Sequence, residues 1–267
     1  MASTRAASIL LAKHDRVATI TLNRPEKLNA FDATMIHSLA EALASISTEE
    51  RTVRCVLLTG AGRGFCSGAD LGYLTSLRRE NRVHEFRVLL EGGRRVVTLL
   101  RQIPVPVIAV VNGPAAGGGA SIALACDIRI ASESATFTQA FAKVGLHADF
   151  GASFFLPRLI GESKARELMF TAETITATEA FRIGLVSQTV PPEGLPAAAV
   201  SLSKTMISRS PLSLKLMKQS QARASDEAFQ KALDRELEAQ LRCFQSAEFL
   251  RRLESFAQTK PFALEEK

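Results

Sequence analysis

The sequence contains no tryptophan, a single tyrosine and only four cysteines among its 267 residues. The cysteines form no CxxC pair and no Cys/His cluster with zinc spacing, so free thiols are predicted rather than a disulfide framework or a metal site. No uncharged apolar run reaches about 18 residues, so no membrane span is predicted. The net charge of +6 is spread along the chain without a basic block, which gives no indication of nucleic-acid binding.

The composition is that of a globular protein of one or two domains. Hydrophobic residues make up 46% and charged residues 22%, enough to build a large core. Residues 1–8 carry an arginine and no acid, as a transit peptide would. An alternating apolar run already begins at Ile9, which leaves little room for one. We therefore expect a cytoplasmic protein, with an organelle matrix as the alternative.

The first half alternates strand-like and helix-like segments, which favours an α/β fold. A turn at His14-Asp15 separates the first two strands, and Asp32 is positioned to cap the first helix. The predicted strands are 8–12, 17–22, 54–59, 105–111 and 128–131, and the predicted helices are 32–46, 84–101 and 115–125.

Helical patterns dominate after about residue 150. They cover 162–171, 177–183, 197–208, 212–222 and a long amphipathic stretch at 226–259. The turn Pro191-Pro192-Glu193-Gly194 is the best candidate boundary, which predicts domains at 1–195 and 196–267. The second unit has little core of its own, so it must pack on the α/β part or on another subunit.

Two glycine-rich loops each follow an apolar strand, at residues 60–70 and 112–119. Neither continues with the Lys-Ser or Lys-Thr of a phosphate-binding Walker loop, and Phe65 replaces the last glycine of a dinucleotide fingerprint. Each loop alone is equally well explained as a tight turn. Together they predict two backbone N–H donors that converge on one oxygen, an oxyanion hole.

The motifs in and around these loops resemble those of the crotonase superfamily, the enoyl-CoA hydratase/isomerase group. They are LNRPEKLNA at 22–30, GRGFCSGADL at 62–71, NGPAAGGG at 112–119 and ACDI at 125–128. The resemblance extends from about residue 8 to residue 262, in the family's order and spacing. It implies an α/β fold built as a spiral of ββα turns, followed by a C-terminal helical trimerisation domain.

The resemblance also implies a ligand and a set of site residues. The ligand is an acyl-CoA thioester, with no separate cofactor because coenzyme A is part of the substrate, and the assembly is a homotrimer or a dimer of trimers. The family's two oxyanion donors fall on the N–H groups of Ala69 and Gly118. The positions that contact substrate fall on Lys27, Ser67, Gly68, Asp70, Leu71, Gly117, Phe141, Phe256 and Lys260. For Phe256 and Lys260, an ordinary amphipathic helix end is the alternative.

The acids of the family decide which reaction is expected. Hydratases of this family resemble one another in two glutamates, whose positions here are Ser121 and Phe141. Neither residue activates water as a carboxylate does, so ordinary hydration of a 2-enoyl-CoA is disfavoured. Dienoyl-CoA isomerases also carry acids at both positions, which argues against a dienoyl substrate.

One acid remains nearby, Asp149, where family members that shift double bonds carry Asp or Glu. Its segment is similar to the ring-epoxide isomerases of phenylacetate breakdown and to Δ3,Δ2-enoyl-CoA isomerases. We expect Asp149 to remove the C2 proton of a 3-enoyl-CoA and to return it at C4, while Ala69 and Gly118 hold the enolate oxygen. The alternative for Asp149 is the N-cap of a helix starting near Phe150.

The surroundings of Asp149 carry further expectations. The apolar neighbours Phe141, Phe150 and Phe154 should exclude water and raise its pKa. His147 is expected to be a loop histidine rather than a catalytic one, and Cys66 has no base paired with it by motif.

Three other functions stay open on the sequence. A 1,4-dihydroxynaphthoyl-CoA synthase carries an Asp in this region, although in a different glycine-rich pattern. RNA-binding homologues use a lysine-rich first helix, whereas residues 32–47 contain no Lys or Arg. A catalytically silent acyl-CoA binder is the third, because both hydratase acids are missing. The acyl chain itself cannot be identified from residues 73–101.

Overall fold

The computed structural model describes residues 7–49 and 52–258. The strands are β1 (Ile9–His14), β2 (Val17–Leu22), β3 (Cys55–Gly60), β4 (Val107–Val111), β5 (Ala115–Ala116), β6 (Ile128–Ser132), β7 (Thr136–Thr138), β8 (Thr174–Thr176) and β9 (Gln188–Val190). The helices are α1 (Ala33–Ser47), α2 (Leu71–Arg79), α3 (Val83–Gln102), α4 (Gly118–Ala125), α5 (Ala152–Ile160), α6 (Glu162–Thr171), α7 (Ala177–Arg182), α8 (Leu195–Ile207), α9 (Pro211–Arg223), α10 (Asp226–Gln245) and α11 (Ala247–Gln258).

The strands form two sheets. The main sheet has the order β1-β2-β3-β4-β6-β9, in which β1 and β2 are antiparallel and every later pair is parallel. The smaller sheet has the order β5-β7-β8. After β4 and again after β6, the chain adds a strand to the small sheet and then forms helix. The predicted α/β fold with successive ββα turns is therefore confirmed.

The central strands are covered on both faces, which explains their unbroken apolar runs. Cys55 and Leu57 of β3 pack in a cluster with Leu195 of α8. The alternate residues Val56 and Leu58 pack in the main core with α1 and α3. Since side chains alternate along a strand, helices on both faces require apolar residues at every position.

The C-terminal helices pack on the same chain's α/β part, one of the two arrangements the sequence allowed. Helix α8 covers the main sheet, α10 lies against α3 and α5, and α11 lies against α2 and a 3₁₀ turn at Ala140–Val144. Helix α10 therefore reaches the segment that contains Asp149. The division into units 1–195 and 196–267 stays a prediction.

Two local expectations from the sequence were wrong, and one predicted helical stretch is divided in two. The first hairpin turns at Asp15-Arg16, which both adopt positive φ, and not at His14-Asp15. The helix expected over 115–125 begins only at Gly118, because Ala115–Ala116 joins the small sheet. The stretch 226–259 breaks at Ser246, whose extended backbone ends α10 and whose Oγ accepts the Phe249 N–H at 3.1 Å to cap α11.

Candidate active site

A buried arginine holds the starts of two helices together. Arg24, only 6% exposed, lies 3.2 Å from Asp32 and donates to Asp70 at 3.0 Å. Asp32 caps α1 through the Met35 N–H, and Asp70 caps α2 through the N–H groups of Gly72 and Tyr73. The motif 22–30 therefore fixes the end of the first glycine loop relative to α1 and α2.

The same motif is tied directly to the first glycine loop. The Asn29 side chain accepts the Arg24 N–H at 2.8 Å and donates to the carbonyls of Ala61 and Gly64 at 2.9 and 2.8 Å. Asn29 is completely buried, so losing any of these bonds would leave a polar group without water. These bonds hold the loop rigid before any ligand binds.

The backbone around Ala69 leaves its N–H group free. Phe31 donates its N–H to Gly68 O at 2.8 Å and accepts the Asp70 N–H at 2.8 Å. In this parallel bridge Phe31 bonds to the residues on either side of Ala69, so the N–H of Ala69 itself points away from Phe31. Within the described residues, the Ala69 N–H has no acceptor.

The second glycine loop presents another free N–H beside the first. Gly117 adopts φ 51° and ψ −128°, a conformation open to glycine, and Gly118 opens α4 with an N–H that no described residue accepts. The loops are joined by the Ala116 N–H, which donates to Cys66 O at 2.9 Å. A Cβ on Gly68 would lie only 3.6 Å from the Gly118 nitrogen.

Both loops line one cavity of about 510 Å³. All of the predicted site residues that lie in the described part of the chain border it: Lys27, Ser67, Gly68, Ala69, Asp70, Leu71, Gly117, Gly118, Phe141, Asp149 and Phe256. Lys260 lies outside the described residues. The remaining lining is largely apolar and includes Phe31, Phe86, Leu89, Leu90 and Phe150. A cavity of this size is typical of a small-molecule site.

Asp149 carries a buried carboxylate of this cavity. Its Oδ2 accepts a hydrogen bond from Gln240 Nε2 at 2.7 Å. Its Oδ1 is shielded from solvent and has no partner among the described residues. Burial raises the pKa of Asp149 well above its ordinary value, the Gln240 hydrogen bond opposes this, and the nearby charge of Glu236 raises it further. The expected rise in pKa is therefore supported.

The alternative assignment of Asp149 as a helix N-cap is wrong. Helix α5 begins at Ala152, and its N-cap is Gly151. The N–H groups of Gly151 and Ser153 donate to Glu236 at 2.7 and 2.9 Å instead. Phe150 and Gly151 both adopt positive φ, and this turn separates the Asp149 side chain from the helix start.

The three aromatic neighbours expected around Asp149 separate into two groups. Phe141 and Phe150 line the cavity, and Phe150 stacks on Phe31 with ring centroids 5.5 Å apart. Phe154 is not among the lining residues. It packs edge-on against Phe155 and Phe229, beneath α10. The side of the cavity next to Asp149 is therefore formed by two of the three predicted rings.

Two residues of α10 next to Asp149 were not predicted. Glu236 is 2% exposed and accepts three hydrogen bonds from Gly151 and Ser153, so it caps α5 from another helix. Gln240, one helical turn later, accepts the His147 N–H at 3.1 Å. Both interrupt the buried stripe of Leu233 and Phe244. Polar residues at core positions of an amphipathic helix were the signal that could have revealed them.

Two other polar candidates, Cys66 and His147, are not among the residues that line the cavity. The Cys66 thiol is buried 3.1 Å from Asn29 O, and burial raises its pKa to about 12, so it is not a nucleophile. The His147 ring is not among the cavity-lining residues, and its Nδ1 lies 2.6 Å from Ala148 O. That His147 has no catalytic role stays a prediction.

The two hydratase positions provide no carboxylate. Phe141 borders the cavity with an aromatic ring. Ser121 is fully buried, is not among the lining residues, and donates its Oγ to Gly117 O at 3.2 Å. The carboxylates among the described lining residues are Glu26, which is exposed, Asp70, which already caps α2, and Asp149.

We expect Ser121→Ala to leave turnover unchanged within assay error, because the hydroxyl contacts only its own helix start. Steady-state kinetics with an acyl-CoA substrate that the wild type turns over would measure this. Ser203→Ala is a matched control, since Ser203 is equally buried and bonds only to Val200 O in α8. A large loss of activity at unchanged thermal stability in Ser121→Ala alone would instead place this hydroxyl in the chemistry.

Comparison with known proteins agrees with this geometry. The family model for enoyl-CoA hydratase/isomerase matches residues 12–267. The chain belongs to the enoyl-CoA hydratase/isomerase family. It is therefore an acyl-CoA-processing enzyme of the crotonase superfamily, and the predicted family is confirmed.

Individual members of the enoyl-CoA hydratase/isomerase family differ in their named reactions. The chain is 46% identical over 208 residues to a probable enoyl-CoA hydratase of Mycobacterium bovis, covering 74% of this chain and 72% of that protein. It is 37% identical over 247 residues to the 1,2-epoxyphenylacetyl-CoA isomerase of Escherichia coli, covering 90% and 91%. A crystal structure of an enoyl-CoA hydratase from Mycobacterium avium subsp. paratuberculosis superposes with a TM-score of 0.85 at 32% identity, covering 93% and 98%.

Two further observations concern the described residues. None of its helices combines the length and the hydropathy needed to cross a membrane. Across residues 7–49 and 52–258, no three His, Cys, Asp or Glu side chains are grouped to hold a metal ion.

Proposed function

We propose that this family member is an enoyl-CoA isomerase that moves the double bond of a 3-enoyl-CoA into conjugation with the thioester. The observation that carries the proposal is Asp149 at the cavity wall. Among the described lining residues it is the single buried carboxyl without an ion pair, and one of its oxygens has no partner there. Ser121 and Phe141 stand in place of the two hydratase acids. A 1,3-proton shift needs one group that first accepts and then donates a proton, whereas syn-hydration uses two acids.

The reaction proceeds in two proton transfers. Asp149 removes a proton from C2, and the electron pair moves onto the thioester oxygen to form a dienolate conjugated through C3=C4. The protonated Asp149 then delivers that proton to C4, which restores the thioester carbonyl and leaves the double bond between C2 and C3. Burial favours the neutral form of Asp149, so the protonated carboxyl that exists between the two transfers is energetically accessible. The apolar wall excludes the water that hydration would need.

The N–H groups of Ala69 and Gly118 hold the thioester oxygen during this sequence. Negative charge develops on that oxygen only after C2 is deprotonated. Fixed donors without another acceptor stabilise this charge without reorganisation, and one such donor contributes roughly 10²- to 10³-fold in turnover. The rigid attachment of both loops, through Asn29 and the Cys66–Ala116 bond, supports this role.

The remaining predicted residues serve the coenzyme A part of the substrate. Lys27 has a half-exposed side chain at the cavity and pairs with Asp70. Burial opposes ionisation of Asp70, but hydrogen bonds from Lys27, the Tyr73 N–H and Arg24 outweigh it and lower its pKa. We propose that Asp70 positions Lys27 for the phosphates of coenzyme A, and that Phe256 packs on the ligand from the same chain. A cytoplasmic homotrimer or dimer of trimers completes the proposal.

The decisive experiment offers purified protein a 3-enoyl-CoA and, separately, a 2-enoyl-CoA, and follows the absorbance of the conjugated thioester. We expect conjugation to appear from the first substrate and no hydration of the second. Hydration of the 2-enoyl-CoA would contradict the proposal. No turnover of either, with tight acyl-CoA binding, would instead favour a silent binder.

A second candidate is isomerisation of a ring epoxide of phenylacetyl-CoA. The observation that favours it is the 37% identity to the Escherichia coli 1,2-epoxyphenylacetyl-CoA isomerase over 90% of this chain. The same buried carboxyl and the aromatic wall of Phe31, Phe141 and Phe150 suit a flat ring. Comparing kcat/KM for the ring substrate with that for a linear 3-enoyl-CoA distinguishes the two.

A further inference from the structure

Helix α10 contacts the Asp149 segment through a glutamine whose orientation is fixed. Gln240 is 1% exposed, and both ends of its amide are engaged. Its Oε1 accepts the His147 N–H at 3.1 Å, and its Nε2 donates to Asp149 Oδ2 at 2.7 Å. Because a backbone N–H can only donate, it selects the amide oxygen, and the amide nitrogen must then face Asp149.

This orientation makes the two oxygens of Asp149 chemically different. The amide N–H of Gln240 donates and cannot accept, so it stabilises an electron pair on Oδ2 and does not accommodate a proton there. Oδ1 has no partner within the described chain. When Asp149 is protonated, the proton must therefore reside on Oδ1.

We propose that Gln240 is a positioning residue that makes Oδ1 of Asp149 the oxygen that takes and returns the substrate proton. The inference rests on the proposed function and extends it, since it concerns how the same carboxyl is held. Gln240 does not touch the reacting atoms. It fixes the carboxyl plane through Oδ2 and stabilises the ionised form, which has to exist before a C2 proton can be removed.

Besides the neutral Gln240, three titratable or charged groups lie near this carboxyl. Glu236 from α10 and Arg94 from α3 line a small void of about 10 Å³ that also borders Asp149. Glu236 is held by Gly151 and Ser153, and Arg94 donates to Asp234 at 2.6 Å. His147 belongs to the same segment as Asp149. None of these groups donates a hydrogen bond to the Asp149 carboxyl, so Gln240 alone performs that task among the described residues.

The first test replaces Gln240 with glutamate or with methionine. An ionised glutamate in this place would keep an acceptor for the His147 N–H but remove the donor to Asp149, and methionine of similar length removes both bonds. Because a hydrogen bond to a charged group is lost, we expect kcat to fall roughly 10- to 100-fold with little change in KM. The acid limb of kcat/KM should move to higher pH, since the ionised base is less stabilised.

Two controls separate positioning from general damage. Gln245→Met changes an exposed glutamine of the same helix and should leave the pH profile unchanged. Thermal unfolding and binding of coenzyme A report whether the Gln240 variants keep the fold. If kcat falls but the acid limb stays where it is in the wild type, Gln240 is only structural and the inference is overturned.

The second test uses the wild-type protein and does not depend on any Gln240 variant. Side-chain amide NMR signals of Gln240, from ¹⁵N-labelled glutamine, should shift with pH as Asp149 ionises, and this titration should be absent in Asp149→Asn. An amide signal that ignores pH in the wild type overturns the inference and leaves the proposed function intact. Full activity in Asp149→Asn would overturn the proposed function as well, so the two failures are distinguishable.

Discussion

The Asp149→Asn variant is expected to lose isomerisation by about 10²- to 10⁴-fold, the usual contribution of a positioned acid or base. Asparagine fills the same volume and can still accept the Gln240 hydrogen bond, but it cannot take a proton from C2. Binding of coenzyme A and the overall fold should remain, because Asp149 caps no helix and makes a single hydrogen bond through its side chain. Conversion of a 3-enoyl-CoA to the conjugated product measures the loss.

The same variant is expected to be at least as stable as the wild type at neutral pH. Burial raises the native-state pKa of Asp149 above its unfolded value, so ionisation destabilises the native state. The wild type is therefore penalised progressively as pH rises from the unfolded pKa to the native pKa, and the penalty is then constant. At a pH below the unfolded pKa, the difference in unfolding free energy attributable to ionisation should disappear.

Asp15→Asn is a matched control for both measurements. Asp15 lies in the first hairpin turn, where asparagine tolerates the same positive φ, and it is not among the cavity-lining residues. It should retain wild-type activity. Substantial activity in Asp149→Asn, at normal folding, would require another base and would contradict the single-carboxylate mechanism.

The parts of the site that the sequence predicted correctly are those determined by local backbone geometry. Gly68 and Gly117 adopt positive φ in the two glycine-rich loops, as their composition allowed. The start of α4 at Gly118 was placed three residues too early, and the assignment of Gly118 as a donor came from the family resemblance. The N-cap at Asp32 was likewise local, and its Oδ1 accepts the Met35 N–H at 2.9 Å.

The parts that it did not predict depend on contacts between distant segments. Asp149 and Gln240 are separated by 91 positions, and Asp149 was a candidate N-cap because local rules favour an aspartate just before a helix. In the folded chain Glu236 occupies that role from α10. The packing of α10 on α3 and α5 brings Glu236 and Gln240 to this segment.

The roles of the site residues stay predictions, even where the structure places those residues at the cavity as the family resemblance implied. The cavity brings Lys27, Asp70 and Phe256 beside the two loops, as the family resemblance implied. The structure adds that Asp70 is already engaged by Arg24, Lys27 and the start of α2. A residue that was expected to contact substrate therefore first serves to hold the loop that contains Ala69.

The Gly118 N–H can be removed with little change to the backbone. Gly118 is the first residue of α4, where proline is well tolerated because its fixed φ suits a helix start. The preceding Gly117, at φ 51° and ψ −128°, lies near the mirror image of the extended conformation that a residue before proline prefers. Gly118→Pro therefore deletes one proposed oxyanion donor while keeping the helix.

Gly118→Ala controls for the added Cβ, whereas the Cγ and Cδ of proline have no counterpart in alanine. A Cβ here would lie 2.7 Å from Phe31 Cζ and 3.2 Å from the Phe150 ring, so both variants must displace these rings, but only alanine keeps the N–H. We expect Gly118→Pro to have a kcat about 10²- to 10³-fold below that of Gly118→Ala, because a donor to the developing enolate is lost. Single-turnover rates with a 3-enoyl-CoA, at equal thermal stability of both variants, measure the difference. Equal rates would mean that the Gly118 N–H does not stabilise the transition state, which would contradict its assignment as an oxyanion donor.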